Sequence, residues 1–266
     1  EAPAIENCLV VDGLLGTGLS EPLRGEFCDA VAAINASGQP VLALDIPTGL
    51  CSDTGAMLGD AVVADATVTF IGIKQGLLTG QAPACVGDLL YADLDVPTEV
   101  YAGVSPNSLR LALEDELEAL PPLSAVAHKG HFGHALVVGG DLGMAGAAIM
   151  AAEAAGRSGA GLVSTATRAA HVPALVARQP AVMAHGVESR AELETLLGSA
   201  SAVAVGPGLG KGAWGEQMLQ RCLQSDHPLV VDADALNLLA ARAEAAPPPR
   251  GDWILTPHPG EAARLL

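Results

Sequence analysis

The sequence predicts an α/β chain built on largely parallel sheets and divided into two successive parts. Three observations predict it. Short continuous apolar runs read as strands buried on both faces. Gly-, Pro- and Asp-rich loops follow those runs directly, where the next helix begins. A Pro-punctuated break near residues 105–128 separates one such series from another. The composition agrees: half of the 266 residues are hydrophobic, mean hydropathy is +0.38 and only 3% are aromatic, so the cores are built from small aliphatic side chains.

The elements follow in order. Residues 8–11 are an apolar run, followed by the turn-rich Asp12-Gly13-Leu14-Leu15-Gly16-Thr17-Gly18 and then by helical spacing through Phe27, Ala30, Val31 and Ile34. The unit repeats with a strand at 40–44, the loop Asp45-Ile46-Pro47-Thr48-Gly49 and a strand at 66–71; a further run covers 88–96. Pro97, Pro106, Pro121 and Pro122 then bracket one amphipathic helix over 108–120, with Leu109, Leu113, Leu117 and Leu120 at helical spacing. The second series predicts strands at 134–138, 162–167, 202–205, 228–231 and 253–256, and a helix at 145–156.

Composition also excludes function classes. A formal charge of −17 and no cluster of Lys and Arg argue against nucleic acid as a partner. A nucleotide ligand is not excluded, because backbone N–H groups at helix starts hold phosphate without basic side chains. Cys8, Cys28, Cys51, Cys85 and Cys222 are odd in number and widely spaced, which predicts reduced thiols rather than a disulfide framework or a zinc site. No apolar stretch reaches the roughly 18 residues of a membrane span, so the expectation is a cytoplasmic protein without a membrane partner. The chain opens on Glu1 and stops at Leu266 inside an apparent helix, which gives the expectation of a fragment.

In open parallel sheets, ligands bind beyond the carboxyl ends of the strands, where helix N-termini converge. The candidate residues lie at those ends. Gly16-Thr17-Gly18 is either a tight strand-to-helix connection or a point of close backbone approach to phosphate. Asp12, Asp45 and Thr48 either cap their turns or offer oxygen to a cation and a carboxylate to a proton. In the second series the loops are 139–146 and 206–210, both glycine-enriched, then Asp232-Ala233-Asp234-Ala235-Leu236-Asn237 and Thr256-Pro257-His258-Pro259-Gly260-Glu261. His258 between two prolines is a ligand contact or a structural histidine. The spacing of His128-Lys129-Gly130-His131 matches no metal-ligand pattern.

Taken together, these loops make the chain resemble the bifunctional NAD(P)H-hydrate repair enzymes, in which an NAD(P)HX epimerase domain precedes an ADP-dependent NAD(P)HX dehydratase domain. The resemblance rests on the 11–19 and 45–49 segments of the first part. In the second part it rests on Ala127-His128-Lys129-Gly130, Gly206-Pro207-Gly208-Leu209-Gly210 and the 232–237 and 256–261 loops. It implies a Rossmann-like epimerase part over 1–104, a linker over 105–127 and a ribokinase-like dehydratase part over 128–266. Asp12 and Thr48 match potassium ligands, and Gly16, Thr17, Gly18, Leu19, Ser20, Glu21, Pro22 and Asp45 match substrate contacts. Asp45 is the expected proton-handling group. Ala145, Gly208 and His258 match contacts to the S hydrate in the dehydratase part. The implied substrates are NADHX and NADPHX, the implied cofactors K+, ADP and Mg2+, and the implied state a homo-oligomer. The family's Asn/Gly-rich epimerase loop and its Gly-Ser-Gly-Asp dehydratase segment are not in the sequence, so both active sites are expected to be incomplete here and little or no dehydratase activity is expected of this chain. Two other readings remain: a ribokinase-like kinase for a small alcohol, and a non-catalytic nucleotide-binding module.

Overall fold

A computed structural model describes residues 7–118, 124–242 and 250–266, and its contacts divide the chain into two compact units, Glu1–Leu120 and Pro121–Leu266. Among the described residues both sheets are all-parallel, as the buried apolar runs predict.

In the first unit, β1 (Val10–Asp12), β2 (Val41–Leu44), β3 (Ala66–Phe70) and β4 (Asp88–Ala92) lie side by side in that order. Helix α1 (Glu26–Ala36) crosses from β1 to β2. It buries Val31 and Ile34 against Val41, Ala43, Val62 and Ala64. Glu26 and Asp29 in its first turn complement the helix dipole. A second cluster, Ile46, Leu50, Leu77, Ala82 and Val86, is formed by the connections that follow β2 and β3. Thr67 is buried in β3 and its hydroxyl donates to the Val86 carbonyl at 2.7 Å, which meets the cost of burying it.

Two short helices follow, α2 (Thr98–Tyr101) and α3 (Leu113–Glu118). The helix expected over 108–120 is thus six residues long as described, and residues 119 and 120 lie outside the described residues. Leu109, Leu113 and Leu117 are exposed. A stripe that buries nothing supplies none of the packing on which short helices depend.

The second unit runs β5 (His134–Val138), α4 (Ala145–Arg157), β6 (Leu162–Thr167), α5 (Val172–Arg178), β7 (Met183–Gly186), α6 (Arg190–Leu197), β8 (Ala202–Val205), α7 (Ala213–Leu223), β9 (Leu229–Val231), α8 (Ala233–Ala240), β10 (Trp253–Leu255) and α9 (Pro259–Leu265). The sheet order is β10-β9-β8-β5-β6-β7. Both faces are covered. Leu136, Val138, Val203 and Val205 meet Leu193, Leu197, Met218 and Leu236, while Val137 and Val163 meet Ala148, Ala152 and Leu175. The alanines of α4 explain the composition, since small side chains let a helix lie close to a sheet. From β5 the chain winds outward through β6 to β7, then returns to the other side of β5 as β8. The order reverses between β5 and β8, which opens a crevice at their carboxyl ends.

Candidate active sites

In the first unit Asp12 ends β1 and Thr48 lies in the turn after β2; both are buried. The parallel pairing Asp12↔Ala43 sets them side by side. The Thr48 hydroxyl donates to Asp12 Oδ1 at 2.7 Å, its amide donates to Oδ2 at 2.8 Å, and the Leu15 carbonyl lies 3.3 Å from the hydroxyl oxygen. A carboxylate, a hydroxyl and a carbonyl therefore meet in one buried place.

Asp45 follows β2 at φ +68°, and the Ile46 amide reaches over it to the Leu44 carbonyl at 2.8 Å. Ile71 does the same after β3, at φ +65°, with the Gly72 amide 2.6 Å from the Phe70 carbonyl. Tight turns of this kind are rare and strained, most of all for a β-branched residue. Two of them end neighbouring strands. The Asp45 carboxylate accepts from the Phe70 amide at 3.1 Å and the Thr69 hydroxyl at 3.3 Å, and forms an ion pair with Lys74. The Tyr91 hydroxyl donates to the Ile71 carbonyl at 2.8 Å and Tyr101 contacts it in turn; this hydrogen bond pushes the Tyr101 phenol up to about 12. A cavity of about 650 Å³ adjoins Lys74, lined in part by Ile71, Ile73, Tyr91 and Tyr101.

The predicted substrate loop is open on this side. No atom beyond the chain neighbours comes within 4 Å of a Cβ built on Gly16 or Gly18, and the Thr17 carbonyl accepts from Ser52 at 3.1 Å. Leu19 packs on the core, Ser20 is exposed, Glu21 pairs with Arg24 at 3.0 Å, and Pro22 is exposed beside buried Leu23.

In the second unit the two glycine loops flank the crevice between β5 and β8, and they are bound to each other. Gly140 N donates to the Pro207 carbonyl at 3.0 Å and Asp141 N to the Gly208 carbonyl at 2.7 Å. A Cβ on Gly139 would sit 2.1 Å from the Pro207 oxygen, one on Gly206 1.8 Å from the Asp232 oxygen, and one on Gly208 2.5 Å from the Met144 oxygen. The close backbone approach expected of these glycines is thus made to neighbouring backbone. Only Gly143 and Gly146 face open space in this pair of loops. Gly208 sits against Met144 and Ala147 at the start of α4, whereas half-buried Ala145 lies beside Gly140.

His258 is the N-cap of α9, two strands from the crevice. Its Nδ1 accepts from Gly260 N at 3.0 Å, while buried Glu261 accepts from His258 N at 3.0 Å. With Nδ1 occupied as an acceptor, a neutral ring carries its proton on Nε2, which lies 3.3 Å from Glu261 Oε1. His128 caps the turn at Lys129–Phe132 in the same manner.

Two charged residues were not singled out from the sequence. Lys74 is the only charged residue between Asp65 and Asp88, and that isolation was the available signal. Arg168, after β6, lies 3.0 Å from Asp141 in an ion contact without an aligned hydrogen bond, pairs with Glu188, and stands 5.2 Å from the Trp214 ring centre. Among the described residues no three His, Cys, Asp or Glu side chains are placed to hold one metal ion, and no helix is long and apolar enough to cross a membrane.

Comparison with known proteins identifies both units. Residues 1–76 match the family described as YjeF-related protein N-terminus, and residues 135–266 the family described as NAD(P)H-hydrate dehydratase. The chain is 48% identical over 258 residues to the bifunctional NAD(P)H-hydrate repair enzyme Nnr of Coxiella burnetii, covering 97% of this chain and 52% of that protein. It is 42% identical to the corresponding enzyme of Escherichia coli, covering 97% and 49%. The chain spans about half the length of the curated relatives it matches. Among solved structures, a hypothetical protein of Streptococcus mutans is 37% identical with a TM-score of 0.51, covering 54% of this chain and 52% of that one. A ribokinase-like superfamily protein of Enterococcus faecalis is 29% identical with a TM-score of 0.51, covering 60% and 59%. The chain joins a YjeF-related N-terminal region to an NAD(P)H-hydrate dehydratase region and is similar along 97% of its length to bifunctional NAD(P)H-hydrate repair enzymes.

Proposed function

We propose that this chain serves nicotinamide-nucleotide repair: its first part, 1–104, acts in interconverting R- and S-NAD(P)HX, and its last part, 128–266, acts in ADP-dependent dehydration of the S form, with 105–127 as the linker. The observation that carries the reading is the order of the two family regions, together with polar residues gathered at strand ends in each unit.

Hydration of the reduced ring leaves a hydroxyl on a carbon bonded to nitrogen. In our reading Asp45 delivers a proton to that hydroxyl, the nitrogen lone pair forms the C=N bond as water departs, and water adds to the opposite face while Asp45 recovers the proton. Residues 16–22 hold the nucleotide, which suits glycines that face open space. The Asp12 carboxylate, Thr48 hydroxyl and Leu15 carbonyl are an all-oxygen donor set that fits K+; a bound ion would order this loop against the turn after β2. In the second unit Ala145, Gly208 and His258 contact the S hydrate. Bound ADP would supply a phosphoryl group to the substrate hydroxyl and leave as AMP, and departure of that phosphate with loss of a proton from the adjacent ring carbon would restore the ring double bond. Mg2+ held mainly by ADP phosphates needs no dedicated protein cage. Cytoplasmic location and a homo-oligomeric state complete the proposal.

Titration of the 266-residue chain with NADHX and NADPHX, followed by amide resonances, tests it. Shifts at residues 16–21 and Asp45, and separately at Ala145 and Gly208, are expected. A spectrum unchanged by both hydrates would overturn the proposal.

A further inference from the structure

We propose that Lys74 is a positioning residue for Asp45: it anchors carboxylate oxygen Oδ1 and thereby makes Oδ2 the atom that exchanges a proton with substrate. This rests on the epimerase reading of the first unit.

The hydrogen bonds to the carboxylate are one-sided. Among the described residues, the Phe70 amide, the Thr69 hydroxyl and the Lys74 ammonium all donate to Oδ1, and no donor reaches Oδ2. A carboxylate offers two oxygens with about four lone-pair sites in all, so three donors leave Oδ1 no capacity for a further partner. Lys74 is equally committed. Its three N–H bonds go to Asp45 Oδ1, to Thr69 Oγ1 at 3.2 Å and to the Phe70 carbonyl at 2.9 Å. No ammonium proton is left for substrate, so Lys74 acts through Asp45 rather than on the reacting atoms.

The backbone is bent to make this arrangement. Asp45 at φ +68° and Ile71 at φ +65° both hold the left-handed conformation that side-chain-bearing residues rarely adopt. The turn at Ile71 places the Phe70 carbonyl where it accepts from both Gly72 N and Lys74. Such strain persists where the surroundings over-determine it, and it concentrates at functional sites. The pair is also partly shielded, with side chains 20% and 26% exposed, so water competes weakly for Oδ1.

The test uses Lys74→Met in the whole chain, with the amide spectrum of β1 to β3 as a check on folding. If Lys74 orients the base, kcat for epimerisation of NADHX falls by about 10²-fold while KM holds, as for a slightly misplaced catalytic group. Adding Lys74→Met to Asp45→Asn then causes no further loss. Wild-type kcat in Lys74→Met, or losses that multiply in the double variant, would overturn the proposal. A wild-type chain that does not interconvert the epimers counts against the epimerase reading instead, and Lys74 is then judged by Asp45 itself. One χ1 rotamer in the wild type and averaging in Lys74→Met support positioning; the same single rotamer in both overturns it.

Discussion

Thr48 closes on Asp12 with two hydrogen bonds, hydroxyl to Oδ1 at 2.7 Å and amide to Oδ2 at 2.8 Å, and both residues are 1% exposed. Thr48→Val removes the hydroxyl and leaves a buried carboxylate short of a donor. It is expected to destabilise the first unit by about 1–3 kcal/mol, read from hydrogen exchange of the β1 and β2 amides in urea. Thr48→Ser retains the donor and most of the stability. Equal protection in Thr48→Val and wild type would show that the hydroxyl contributes nothing.

A cation bound by the same oxygens stabilises the folded state by mass action. Replacing a bulky organic cation by K+ at constant ionic strength is expected to raise the midpoint of the first unit in the wild type and not in Asp12→Asn. A gain of the same size in both would remove Asp12 from the site.

The glycine loops of the second unit separate packing from openness. Gly206→Ala forces a Cβ within 1.8 Å of the Asp232 carbonyl at φ +130°. The conformation alone costs about 1–3 kcal/mol and the overlap adds to it. Gly146→Ala meets nothing within 4 Å inside α4, so it is expected to be neutral or stabilising by up to about 1 kcal/mol. Thermal unfolding orders the two; a mild Gly206→Ala would mean that the loops repack freely.

Burial and neighbouring His134 hold the His185 imidazole below its ordinary 6.5. Ser164 lies between them, 2.8 Å from His134 Nε2 and 3.5 Å from His185 Nε2, while His134 Nδ1 meets the Ser199 carbonyl at 3.0 Å. The unfolded chain therefore binds the proton more readily than the folded one. Stability is full above pH 6.5 and falls as the pH drops below it toward the folded value. Glu192 and Glu194, lowered from 4.5 by their hydrogen bonds, lose their contribution only in more acid solution. His185→Asn is expected to flatten the dependence just below pH 6.5; an unchanged slope would assign it elsewhere.

Strands buried on both faces were legible because β8, β9 and all of β5 after His134 are unbroken apolar runs ended by glycine or aspartate, while β6 stood out by Leu162, Val163 and Ala166 despite its Ser and Thr. β7 was not. Met183–Gly186 is a half-exposed edge strand containing His185, with neither a continuous run nor clear alternation. The site residues Asp12, Asp45 and Thr48 stood out as polar groups at strand ends. Their arrangement did not, because it depends on register and on strained turns. Asp45 meets Lys74 across 29 positions of sequence, and no local pattern announces a left-handed Asp or Ile. The glycine loops were readable as special backbone, but sequence does not say whether a close approach is to a ligand or to the adjoining loop.

The most direct test of the account is the rate at which the chain equilibrates separated R and S epimers of NADPHX, followed by chromatography, in wild type and Asp45→Asn. The account predicts acceleration over buffer by the wild type and a loss of about 10²–10⁴-fold in a folded Asp45→Asn. Equal rates in the two proteins, or a wild type no faster than buffer, would contradict it.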